Sequence, residues 1–197
     1  YDMVILQMEI PPEINALVAG WAASKGVPVM LNPAPSAPLA PALLSALTYI
    51  SPNEHEAADI TGIRLTGEDG AIDCDALDRA LRDLRDKGVP NIIITLGAQG
   101  CVLDCQASRL QLPCVPGVEA VDPTAAGDSF IGAFCVGVAA GLTQKDALTL
   151  ATHTAAITVS RMGAQPSLPS LEEVLADMTR RECSPELIAT IQTMLGD

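Results

Sequence analysis

An α/β fold built on a mostly parallel sheet is what this sequence predicts, and three observations carry the prediction. Short aliphatic runs alternate with helical patterns through the first half of the chain, which is the order of strand, helix, strand units. The run Asn91-Ile92-Ile93-Ile94-Thr95-Leu96 is apolar without alternation, as in a strand buried on both faces. Proline or glycine punctuates most junctions, and no low-complexity linker or internal repeat interrupts them, so one domain is expected over 1–197.

Taken in order, Met3–Met8 reads as a strand of the interior kind, which predicts that further sequence precedes Tyr1. After Pro11 and Pro12, the residues Ile14, Leu17, Val18 and Trp21 recur at helical spacing over Glu13–Ser24, and Gly26 ends the helix. Val27–Leu31 is the second strand. It delivers Asn32-Pro33-Ala34-Pro35-Ser36 at its carboxyl end, where open α/β sheets bind ligands, although Asn32 serves equally well as a turn-capping amide.

A short helix over Leu39–Leu47 and a strand over Thr48–Ile50 lead to Ser51-Pro52-Asn53-Glu54-His55-Glu56. Asn53 with Glu56 three residues on matches a capping box. The same amide and carboxylate, one turn apart at a strand's carboxyl end, can also hold magnesium through water and orient phosphate oxygens. His55 and Asp59 are expected to face solvent, and two histidines in the whole chain give no basis for a histidine metal site.

Gly62–Gly70 reads as loop and Ala71–Lys87 as an amphipathic helix, with Leu77, Leu81 and Leu84 inward and its charges forming a solvated surface. Gly88 closes it. The strand Asn91–Leu96 ends in Gly97-Ala98-Gln99-Gly100, either a plain tight turn or a place where backbone approaches a ligand closely. Cys101–Asp104 and Arg109–Leu112 alternate as an antiparallel hairpin at the sheet edge.

Val121-Asp122-Pro123-Thr124-Ala125-Ala126-Gly127-Asp128-Ser129-Phe130 then leads into a helix reaching Ala140, apolar almost all round and so expected to be buried. The N–H groups at such a helix start favour an anion. Asp128, one step inside, suits a second substrate bearing a hydroxyl, and the two together suggest phosphoryl transfer; ordinary capping and packing is the plainer account. Gly141 stops the helix, and Thr143 caps the next to about Ser160, with Ala147, Leu148, Ala151, Ala155 and Val159 at helical spacing. His153 on it reads as a core or rim residue. Arg161–Ser167 is a loop rich in carbonyls, followed by helices over Leu171–Thr179 and Pro185–Leu195.

Composition narrows the partners. Aromatic residues are only 3% of the 197, so aliphatic side chains and alanine must build the core. A net charge of −13 with scattered basic residues argues against a nucleic-acid face but not against ATP, which helix N-termini and a metal can hold. Cys74, Cys101, Cys105, Cys114, Cys135 and Cys183 lack paired C-x-x-C spacing; Cys101 and Cys105 fall roughly 13 Å apart along a strand, too far to share a metal. Reduced, buried thiols in a cytoplasmic protein are the expectation. The longest apolar run, Ile131–Ala140, is too short to span a membrane.

The motifs Asn32-Pro33-Ala34-Pro35, Pro52–Glu56, Thr95-Leu96-Gly97 with Gly100, Asp122–Asp128 and Gly163-Ala164-Gln165-Pro166-Ser167, in this order, resemble the ribokinase-like branch of the PfkB carbohydrate kinase family. The resemblance implies a three-layer, doubly wound, mostly parallel α/β fold and an ATP-dependent transfer of the γ-phosphoryl group to a primary hydroxyl of a sugar, with ribose as leading substrate and a nucleoside or another sugar as alternatives. Asp128 matches the family's catalytic base, and the backbone amides of Ala125, Ala126 and Gly127 its anion hole. Asn53 and Glu56 match the pair that organises Mg2+ and phosphate, and Thr95, Gly97 and Gly100 the ATP-contacting turn. Thr152 aligns with the adenine-contacting position, with His153 beside it. Asp122, Thr124, Thr158, Arg161, Gly163 and Ser167 match the positions whose oxygens surround an activating K+, Arg161 through its carbonyl.

Two departures stand out. Pro123 replaces the usual threonine, removing a hydroxyl and an N–H and stiffening the loop. The glycine-rich sugar-binding signature, the first strands and the lid of the family are not found, so the chain is expected to be the carboxyl-terminal, nucleotide-binding two thirds of a kinase, with an inactive nucleotide-binding fragment as the alternative. Family members often pair through the lid; a homodimer here would use another surface, such as the edge of its first strand.

Overall fold

The computed structural model describes residues 1–67, 69–106 and 108–196; Glu68, within the expected loop Gly62–Gly70, and Ala107, in the turn of the expected hairpin, lie outside the described residues. The chain forms two compact units, Tyr1–Pro113 and Cys114–Asp197.

In the first unit, β1 (Val4–Gln7), β2 (Val29–Asn32), β3 (Tyr49–Ile50), β4 (Asn91–Thr95), β5 (Cys101–Cys105) and β6 (Arg109–Leu112) lie side by side in chain order. The first four run parallel, with Val4 opposite Val29, Met30 opposite Tyr49 and Ile50 opposite Ile92, and the last three form an antiparallel meander. Alternate strand residues Leu31, Ile50, Ile92 and Ile94 join the main core cluster, while Met30, Ile93 and Leu103, pointing to the other face, are equally buried. Burial on both faces is why these strands read as continuous apolar runs. The expected α/β sheet is therefore present.

Between the strands stand α1 (Pro12–Ser24), α2 (Pro41–Leu44), α3 (Glu54–Thr61) and α4 (Cys74–Asp86). Leu77, Leu81 and Leu84 of α4 face the core as expected, each contributing roughly 1.5–3 kcal/mol of burial. The helix begins three residues later than its apolar pattern suggests, because the Asp73 carboxylate accepts from Asp75 and Ala76 N–H and fixes the start there. Its charges are not all solvated: Arg85, with Arg109 of β6, grips Asp104, which is buried in β5. The helix expected over Leu39–Leu47 shrinks to the single turn of α2.

The face of α1 that packs inward is Asn15, Ala19 and Ala22, and the larger Ile14, Leu17 and Trp21 are 43%, 72% and 54% exposed. β1 forms an edge of the described sheet, with Ile5 half exposed, in keeping with the exposed first-strand edge expected from the sequence.

The second unit consists of α5 (Ala126–Ala139), α6 (Gln144–Val159), α7 (Leu171–Arg180) and α8 (Pro185–Leu195). α5 and α6 cross closely at Gly137, where a Cβ would come within 3.1 Å of both Ala147 Cβ and Leu142 Cδ1. α5 is not buried all round: it packs through Phe130, Ile131, Phe134 and Cys135, and Val136 is 53% exposed. Hydroxyl caps at Thr143, Ser170 and Ser184 open the three later helices. Among the described residues no helix is long and apolar enough to cross a membrane.

Candidate active site

In the first unit the site candidates gather where β3 and β4 end. Asn53 caps α3: its Oδ1 accepts from His55 N–H at 2.9 Å and Glu56 N–H at 2.8 Å, and Glu56 Oε2 accepts from Asn53 N–H at 2.9 Å. The capping box expected from the spacing is thus formed, and it holds the carboxylate of Glu56 and the amide of Asn53 within one turn. Thr95 is their neighbour, since its N–H donates to Pro52 O at 3.1 Å and its backbone bridges Asn53. His55 and Asp59 are exposed, as expected.

After Thr95 the chain makes a tight 3-10 turn over Gly97–Gln99, closed by Gly100 N–H to Gly97 O at 3.1 Å and Leu96 N–H to Gly100 O at 2.8 Å. Gly97 and Gly100 have φ of +53° and +88°, conformations that glycine adopts without strain. The Gln99 side chain ties the turn to the preceding loop by accepting from Ile72 N–H at 3.1 Å and donating to Gly70 O at 3.3 Å. Two residues missed by sequence reasoning belong here. Glu54 brings Oε1 to 3.8 Å from where a Gly97 Cβ would lie, and Ser51 at the carboxyl end of β3 has a buried hydroxyl for which the described residues supply no partner. Only position signalled Ser51, two residues before the cap.

In the second unit, Ala125 precedes α5 with φ 62°, ψ 3°, left-handed for a residue with a Cβ, and no side chain caps the helix. Ala126 N–H donates back to Pro123 O at 3.2 Å, and Ser129 N–H makes the first intrahelical bond, to Ala125 O at 2.9 Å. A Cβ on Gly127 would meet nothing within 4 Å, so packing does not explain this glycine. Asp128 is exposed in that same first turn.

Asp122 is a junction. Its Oδ1 accepts from Thr124 N–H and its Oδ2 from Gly163 N–H, both at 2.9 Å, so the loop before α5 is pinned to the loop after α6. Bonds from the Thr124 hydroxyl, then from the Gly163 and Thr124 N–H groups, hold its carboxyl below the ordinary carboxylate range. Asp122, Thr124 and Gly163 are thereby brought together. Thr158 and Ser167 are fully buried and donate to backbone carbonyls, Thr154 O at 3.0 Å and Ala164 O at 2.6 Å, so each hydroxyl presents only acceptor capacity to anything else. The Arg161 guanidinium pairs with Glu173 at 2.6 Å, leaving its carbonyl as the group that could face a cation.

On α6, Thr152 donates to Leu148 O at 2.8 Å, while His153 is buried with its ring nitrogens near Asp177 and Cys183. No disulfide forms among the described residues, but the thiols are not uniformly buried as expected: Cys101 and Cys135 are, Cys74 is exposed and the others lie between. Burial pushes the Cys135 thiol up to about 12. Among the described residues no three His, Cys, Asp or Glu side chains cluster as metal ligands.

The pfkB family carbohydrate kinase model matches residues 2–171. Ribokinase of Schizosaccharomyces pombe is 42% identical over 174 residues, covering 88% of this chain and 54% of that protein, and ribokinase of Haemophilus influenzae is 37% identical over 177 residues, 88% and 55%. Among solved structures, Arabidopsis thaliana ribokinase complexed with ribose and ATP superposes with TM-score 0.82 at 33% identity, covering 89% of this chain and 55% of that one. Ribokinase from Cryptococcus neoformans in complex with ADP gives TM-score 0.75 at 27% identity, 90% and 60%. The chain spans about half the length of these relatives. With that match running through both units, the chain belongs to the pfkB family of carbohydrate kinases.

Proposed function

We propose that this chain is the carboxyl-terminal, nucleotide-binding part of an ATP-dependent sugar kinase of the cytoplasm, transferring the γ-phosphoryl group to a primary hydroxyl, with ribose as substrate and ribose 5-phosphate as product. The observation that carries the reading is the start of α5: an uncapped helix terminus, an unobstructed Gly127 and an exposed carboxylate in one turn. Asp128 accepts the proton of the sugar hydroxyl, and the amides of Ala125, Ala126 and Gly127 receive the charge that develops on the transferring group. Thr95, Gly97 and Gly100 let backbone come close to ATP, and Thr152 is the adenine neighbour in preference to His153, whose two ring nitrogens already have partners.

Asn53 and Glu56 are the residues that would hold Mg2+ through water, where the ion would supply charge neutralisation of the phosphates. The residues suited to K+ are Asp122, Thr124, Thr158, Arg161, Gly163 and Ser167, an all-oxygen donor set with a single carboxylate, which fits a weakly held monovalent cation. Its chemistry would be to order the two loops that Asp122 joins.

In a protein of the relatives' length carrying this sequence, Asp128→Asn lowers ribose-dependent ADP release about 100- to 10,000-fold while ATP affinity changes little. Near-normal turnover would remove Asp128 as the base. A second reading, a nucleotide-binding piece without turnover of its own, is favoured by the 54% coverage of the S. pombe relative. Calorimetric titration with Mg·ATP beside the same ADP assay on residues 1–197 separates the two, and a panel of sugars and nucleosides tests the choice of ribose.

A further inference from the structure

Away from those groups, three side chains of the second unit stand in a line. Cys183 Sγ lies 3.4 Å from His153 Nε2, and His153 Nδ1 lies 3.0 Å from Asp177 Oδ2. Asp177 is fixed in turn by Arg180 and by Arg181 Nε, 3.0 Å from each carboxylate oxygen. His153 and Asp177 are buried, at 7% and 4% exposure, and Cys183 is half buried. An ionised carboxylate can only accept, so Nδ1 is the nitrogen that donates to Asp177, and in the neutral ring Nε2 is then the acceptor that faces the thiol. Nucleophile, base and orienting acid follow one another in the order that activates a weak nucleophile.

We propose that Cys183 is a nucleophilic thiol, with His153 as its base and Asp177 as the orienting carboxylate, and that it exchanges with low-molecular-weight disulfides bearing carboxylates. The Arg180 side chain, 72% exposed, gives such a molecule a cationic landing point. Exchange is favoured over acyl transfer because it needs no oxyanion donors. His153 Nε2 takes the proton from Sγ, and the thiolate attacks one sulfur of the disulfide. The old S–S bond breaks, a mixed disulfide forms on Cys183, and the departing thiolate recovers the proton from the imidazolium.

The base is required. Burial, and then the charge of Asp177, push the Cys183 thiol up, with Arg181 opposing, so the resting group is protonated. The charged groups around it are Asp177, Arg180 and Arg181 at the end of α7, His153 on α6, and the exposed Glu182 and Glu186 that flank it in sequence.

The test is incubation of residues 1–197 with glutathione disulfide under native conditions, reading each cysteine by peptide mass spectrometry. Cys183 is expected to react at least about tenfold faster near pH 7 than Cys114, which is also half buried. His153→Gln is expected to slow Cys183 about 100-fold and leave Cys114 unchanged. Should that variant not fold, the pH profile of the unaltered protein decides. With a base beside it the Cys183 rate climbs less steeply with pH than the tenfold per pH unit of a thiol ionising by itself. A rate no faster than that of Cys114, or a steady tenfold rise per pH unit, overturns the proposal.

Discussion

α3 and α5 start in opposite ways. α3 is closed by its own side chains, with Asn53 and Glu56 exchanging bonds across the first turn. α5 has no side-chain cap and enters through an alanine in the left-handed region. A self-capped helix end satisfies most of its first N–H groups with its own side chains, whereas those of an uncapped one are left to water or a ligand. The first terminus is therefore built for stability and for holding two polar side chains in place. The second leaves its electrostatic capacity open, as the proposed anion site requires.

Substitutions can break this contrast. The largest effect is expected at Gly127→Val in a protein of the relatives' length: the side chain has room in the fold, so thermal stability stays within about 1 kcal/mol, while sugar-dependent turnover drops about 100-fold because the anion can no longer come close. Equal losses in both would show that Gly127 is a packing residue. Next, Asn53→Ala should cost about 1 kcal/mol in urea unfolding, the usual loss for a cap; no loss would mean the box contributes nothing to the fold.

Ala125→Gly should raise stability by up to about 1 kcal/mol, since glycine takes the left-handed conformation without the Cβ penalty. Calorimetry checks it, and a decrease would mean that unfolded-chain entropy outweighs the relieved strain. The smallest effect concerns pH. The folded carboxyl of Asp122 is held below its unfolded value, so its contribution is present above the ordinary carboxylate range and lost as pH falls through the folded value. Amide exchange at Gly163, corrected for intrinsic rates, should quicken in that acid window, and Asp122→Asn should abolish the change.

What could be read from the sequence divides along the same physical line. The α3 box was legible because its partners lie three residues apart and the motif is local. The inward leucines of α4 were legible because only one of its faces is apolar. On α1 periodicity identified a helix but not its buried face: Asn15, Ala19 and Ala22 allow close approach and went inside, leaving the bulkier Ile14, Leu17 and Trp21 outside. The alignment of Cys183, His153 and Asp177 had no local signature, since its members come from two helices and the turn between α7 and α8. Position in three dimensions alone brings them together.

Asp122 fastens Thr124 to Gly163 with one carboxylate. Neither loop can drift without cutting a bond that also restrains the other, so the two should open as a single event. Their amide hydrogens would then exchange with a shared free energy, and any cation that steadied one loop would slow exchange in both.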